Sequence, residues 1–73
     1  MRKYSLYKAR KVNTPNPTKF ACKIEDALEK KPWYIVLGAL TYSELERCDL
    51  IYYGHNMTYE RCIAEIERLR RGA

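Results

Sequence analysis

Residues 40–54 read LTYSELERCDLIYYG, and the fold turns on where the helix that starts there stops. Thr41 suits an N-cap, because its hydroxyl can accept from the backbone of the first turn. Glu44, three residues on, completes a capping box, and Leu40 and Leu45 occupy the positions of a hydrophobic staple. If the helix runs on, Leu45, Cys48 and Tyr52 share a face and Gly54 follows its C-terminus. The competing reading ends the helix early and makes residues 49–53 a strand, since Leu50-Ile51-Tyr52-Tyr53 is β-prone. The first choice gives an α+β domain in the order strand, helix, strand, helix, helix. The second adds a third strand and a small antiparallel sheet covered by the C-terminal helix.

The Thr-Tyr start recurs. Thr58 caps a second helix whose staple pair is Met57 and Cys62; Arg61 stands where the box would need an acid, but Glu60 still complements the helix dipole. Tyr59, Ile63, Ala64, Ile66 and Leu69 supply apolar positions, and Arg68, Arg70 and Arg71 crowd the last turn before Gly72. Cys48 and Cys62 fall at different distances from their caps, so the repeat describes two helix starts and not a duplicated site.

Upstream, Tyr4, Leu6 and Lys8 alternate with Ser5, Tyr7 and Ala9, which predicts a strand near residues 3–12. Asn13-Thr14-Pro15-Asn16-Pro17 ends it as a surface loop. Phe20, Ile24, Ala27 and Leu28 then follow helical spacing, predicting a helix over residues 19–30 with Thr18 as cap and Pro32 as stop. A strand through residues 20–24 is the alternative. Trp33 to Leu40 is a continuous apolar run, the pattern of a strand buried on both faces.

Seventy-three residues make one domain, residues 1–73, with a small core: a chain of this size buries roughly 60% of the surface its unfolded form exposes. That leaves little room for an enclosed active site, and a non-enzymatic binding module is expected. An apolar content of 47%, with seven tyrosines and one tryptophan, is too rich for disorder. No apolar run approaches the roughly 20 residues of a membrane span, and the first residues lack the apolar stretch of a signal peptide. Three cysteines cannot form a complete disulfide framework, so a cytoplasmic protein with reduced thiols and no membrane partner is expected.

The net charge of +5 is unevenly placed. Residues 1–23 carry seven basic side chains and no acidic one; from residue 24 onward seven basic face nine acidic. Such asymmetry points to an anionic partner, either nucleic acid or an acidic protein surface.

The chemistry-bearing residues have plain alternatives. Cys48, His55 and Cys62, with Cys22 as a fourth, lack the close cysteine pair of small zinc sites and read better as buried thiols. His55 is the only histidine, in a Gly-His-Asn turn, with nothing to orient it for nucleophilic chemistry. No catalytic residue, metal or cofactor is assigned. A DNA-reading helix-turn-helix is disfavoured because Tyr59, Glu60, Glu65 and Glu67 would meet phosphates. The N-terminal strand is the better contact surface: Arg2, Lys3, Lys8, Arg10 and Lys11 interleave with Tyr4 and Tyr7, a pattern suited to RNA, single strands or a protein interface. At a sheet edge it could also accept a partner strand. Arg68, Arg70 and Arg71 form a second basic cluster.

In size and make-up, carried most by residues 1–12 and the closing Arg-Leu-Arg-Arg-Gly-Ala, the chain resembles the small host-takeover proteins of lytic bacteriophages. It is most similar to the RNA-polymerase-binding transcription regulators of that group, as found in Xanthomonas phages. No motif matches residue by residue, so no site residue is carried over. The resemblance implies a monomer in the host bacterial cytoplasm that docks on RNA polymerase near the RNA exit channel, where the β′ N-terminus and β flap lie. There its basic face would meet acidic groups or emerging nucleic acid. The implied activity is inhibition of initiation and read-through of terminators. The alternatives are a protein acting directly on nucleic acid, or an inhibitor of a bacterial defence or repair enzyme.

Overall fold

The computed structural model describes residues 2–26 and 29–72. In chain order it contains β1 (Tyr4–Ala9), β2 (Ala21–Ile24), β3 (Trp33–Leu37), α1 (Tyr42–Cys48), β4 (Leu50–Met57) and α2 (Tyr59–Gly72). The strands form one antiparallel sheet in the order β2-β3-β1-β4. The chain is a small α+β domain.

The helix opening at residue 41 is short. Thr41 and Glu44 form the reciprocal capping box, and Asp49 closes the helix in the left-handed region at φ 51°, its N–H donating to the carbonyls of Leu45 and Glu46. Asp tolerates this conformation better than most residues, so no glycine is required at the stop. The chain then enters β4, where Leu50 lies opposite Ala9 of β1. The helix expected to continue to Gly54 is therefore replaced by the strand of the competing reading. Tyr52 packs its ring against Tyr7 across the sheet instead of extending the face of Leu45 and Cys48. Two register shifts against β1 mark bulges in β4, and Gly54 takes φ 141° there, a conformation closed to most side chains.

The helix expected over residues 19–30 does not form at its start. Ala21–Ile24 is β2, pairing with β3 from Ala21 opposite Val36 to Ile24 opposite Trp33. The competing principle is the exposed edge of β3: strand pairing satisfies its backbone groups, which a surface helix would leave open. Ala27 and Leu28 of the expected helix lie outside the described residues. After β2 the chain turns about Asp26, whose side chain accepts from the N–H of Glu29 and whose carbonyl accepts from Lys30.

β1 and β3 are the inner strands, and both are buried on both faces. On one face Tyr7, Ala9, Tyr34 and Val36 pack with Cys48 and Leu50 under α1. The 10–20 loop closes that side: the Tyr34 hydroxyl donates to the Thr14 carbonyl at 2.9 Å, and Arg47 donates to the Pro17 carbonyl at 2.7 Å. On the other face Leu6, Trp33 and Ile35 pack with Cys62 and Ile66 of α2. The continuous apolar run of β3 has its cause here. The position of β1 corrects one expectation: with partners on both sides, it has no free edge to offer another strand.

Candidate docking surface

The two ends of β1 differ in how their charges are satisfied. At the C-terminal end, the Lys8 ammonium pairs with Glu29 and lies 4.9 Å from the centroid of the Trp33 ring; its side chain is 14% exposed. Arg10 and Lys11 share one carboxylate, Asp49, at 3.4 and 3.9 Å, and the Arg10 N–H donates to the Asp49 carbonyl. The acid-free segment thus meets its acids from beyond residue 24. The C-terminal cluster is treated similarly. Arg68 is held by Glu65, and Arg70 lies 3.7 Å from the buried Asp26. The Arg68 guanidinium holds the Glu65 carboxyl below its ordinary range, first through the hydrogen bond between them. Arg71 is exposed on the last turn of α2.

The aromatic residues of the N-terminal strand also part company. Tyr7 is 2% exposed, a core residue whose hydroxyl accepts from the Leu40 N–H at 3.1 Å. It is closed to a partner. Tyr4 is half-buried on the α2 face, edge-on to Tyr59 with ring centroids 5.8 Å apart.

Around Tyr4 the surface is apolar. Antiparallel pairing sets Met57, Tyr4 and Leu37 in a row across β4, β1 and β3. Leu37 is 43% exposed, although it follows four buried residues, because the sheet and its helix cover end there. Phe20, 65% exposed, precedes Ala21, the partner of Val36, so it sits at the same corner as Leu37. Tyr59 (36% exposed) stands over the row and shares a 3.4 Å hydrogen bond with the thiol of exposed Cys22. That bond, and then lost hydration, push the Tyr59 phenol above its ordinary pKa.

On the β4 side of this row lies a cleft of about 490 Å³ lined by Lys3, Asn56, Met57, Thr58 and Arg61. Thr58 caps α2, accepting from the Arg61 N–H at 3.1 Å, and Lys3 is fixed at the backbone by its carbonyl accepting from Gly38. Among the described residues neither Lys3 nor Arg61 makes an ion pair, in contrast to Lys8, Arg10, Lys11, Arg68 and Arg70. Arg2 and Lys19 add exposed charge near the same end, Lys19 lying 5.2 Å from the Phe20 ring centroid.

The thiols divide between the faces. Cys48 is buried on the inner side of α1 and Cys62 on the inner side of α2, so the sheet separates them and the set Cys48, His55, Cys62 cannot close on one ion. Burial pushes the Cys62 thiol up, consistent with an inert core residue. His55 stands beside the Tyr52 hydroxyl on the outer strand. Among the described residues no group of three or more His, Cys, Asp or Glu converges, and no helix is long and apolar enough to cross a membrane.

Of the residues singled out by sequence, Lys3 and Tyr4 belong to this surface, with Arg2 beside them. The structure adds Phe20, Cys22, Leu37, Met57, Tyr59 and Arg61. Comparison with protein-family models, curated proteins and solved structures finds no match to this chain.

Proposed function

We propose that this chain is a non-catalytic, phage-type regulator that docks on bacterial RNA polymerase, inhibiting initiation and promoting read-through of terminators. The observation that supports docking is the exposed apolar side chains Phe20, Leu37 and Tyr59 near Lys3 and Arg61, neither of which makes an ion pair among the described residues. Aromatic anchors with a basic rim are the composition of protein-binding hot spots. Leu37 in their midst favours a protein partner over nucleic acid, because bases stack on aromatic rings and gain little from an aliphatic side chain. The choice of polymerase as target rests on the resemblance in size and make-up to phage polymerase regulators. Action through surface contact near the RNA exit channel, at the β′ N-terminus and β flap, needs no reacting group.

The test is binding of the purified chain to immobilised bacterial polymerase, followed by transcription from a promoter template carrying an intrinsic terminator. Saturable binding, fewer open complexes and more read-through are expected. Absence of binding at low salt, where charge attraction is strongest, overturns the polymerase assignment.

A further inference from the structure

We infer that the Lys3–Arg61 cleft receives a carboxylate of the partner protein, and that the same partner segment places an apolar side chain on the Tyr4–Leu37 row. This deepens the proposed function and rests on its assignment of this end of the sheet as the docking surface.

Three features argue for it. The cleft is lined by two cations, an amide and a hydroxyl, with no acid among its lining residues. Neither cation makes an ion pair among the described residues, a state shared with Arg2, Lys19, Lys30, Lys31, Arg47 and Arg71, and Arg61 acts on Glu65 of its own helix only through space. An incoming carboxylate would therefore not have to break an internal pair, and charge-assisted hydrogen bonds to a guanidinium are among the stronger polar contacts. The apolar row begins where the cleft ends, since Met57 lines the cleft and also pairs with Tyr4.

The sheet sets the spacing. β4, where the cleft lies, and β3, which carries Leu37, are two strand separations apart, or about 10 Å. On an extended partner the side chains of one face recur every two residues, about 7 Å apart, and the reach of a Glu and a Phe side chain spans the remainder. The recognised element is thus an acidic side chain with a large apolar one two positions away on the same face of an extended segment. Nucleic acid fits less well, because its bases could stack on Phe20 or Tyr59 but would gain little from Leu37.

The test is a titration of the full chain, isotope-labelled for amide NMR, with three probes. They are an acetylated, amidated Glu-Ala-Phe-Ser peptide, its Gln-Ala-Phe-Ser counterpart, and an octauridylate. The acidic peptide should shift Lys3, Met57, Thr58 and Arg61 together with Leu37, and the neutral peptide should shift them several-fold less at equal concentration. In parallel, Lys3→Gln and Arg61→Gln should each weaken binding to polymerase by about threefold to fivefold. Both side chains are on the surface, so the fold should survive, and the unchanged spectrum elsewhere checks this. If the octauridylate alone moves the cleft, or if neither peptide does, the inference falls. If polymerase does not bind but the acidic peptide does, the inference stands and only the polymerase assignment fails. If polymerase binds wild type and both variants equally, the inference fails and the assignment survives.

Discussion

The two ends of β1 carry the same kinds of residue and put them to opposite uses. At one end Lys8, Arg10 and Lys11 are tied to Glu29 and Asp49, and Tyr7 is sealed under Leu40. At the other end Lys3 is unpaired within the described residues, and Tyr4 lies at the base of an exposed apolar row. A basic residue marks a binding surface only when the fold leaves its charge unspent. At the far end the cations hold the α1–β4 junction and the Glu29 turn in place. At the near end they face outward.

The largest effect should come from removing what holds the near end together. Ile66, buried at the centre of the α2 contact, anchors the helix that carries Tyr59 and Arg61. Ile66→Ala should cost about 2–5 kcal/mol in a urea titration and lower partner affinity with it, while retaining Tyr34–Thr14 packing in any folded fraction. A smaller and more selective loss is expected from Leu37→Ser. Because Leu37 is already half out of the core, stability should change by less than about 1 kcal/mol, yet polymerase binding should fall about tenfold or more. Unchanged affinity would remove Leu37 from the docking surface.

At the far end the pattern should invert. Arg10→Ala with Lys11→Ala breaks two solvent-exposed ion pairs to Asp49 and should cost no more than about 1 kcal/mol of stability, a difference that shrinks as salt rises. Polymerase affinity should change less than about twofold, the effect expected of charge outside an interface. A loss matching that of Leu37→Ser would erase the distinction between the ends.

The smallest effect concerns the cap of α1. The Glu44 carboxyl is held below its ordinary pKa, first by the Thr41 backbone N–H and then by the Thr41 hydroxyl. A depressed folded pKa contributes stability above the unfolded value, which is lost as pH falls through the folded one. Melting temperatures should thus separate wild type from Glu44→Gln at neutral pH and converge below the carboxylate range. A gap that persists in strong acid would assign the difference to something other than the capping carboxylate.

These contrasts also mark what was legible in the sequence. Local rules fixed the Thr41–Glu44 box, the Thr58 cap, the long C-terminal helix and the doubly buried β3, because each depends on residues within a few positions. The stop at Asp49 was not decidable locally: a left-handed Asp and a continuing helix differ by whether Leu50 finds Ala9 across the sheet, forty-one positions away. Residues 20–24 satisfy helical spacing and also read as a short strand, so the sequence leaves both open. Only the unfilled edge of β3 decides between them. The candidate surface is only partly legible in the sequence. Lys3 and Tyr4 stood out as a cation beside an aromatic, but the pairing of Lys8 with Glu29 spans twenty-one positions and leaves no local trace. Leu37 read as the interior of an apolar run, and its exposure follows only from where the sheet ends. Arg61 shows in the sequence only as a gap in a capping box. Its place in the cleft depends on Lys3 and Asn56 from two other segments.

Amide hydrogen exchange of the chain alone and bound to bacterial RNA polymerase tests the central claim most directly. The account predicts new protection at Leu37, Gly38 and residues 56–62, with residues 10–16 and 29–31 exchanging as in the free chain. Protection confined to residues 10–16 and 29–31, with the Tyr4 end unchanged, would contradict it.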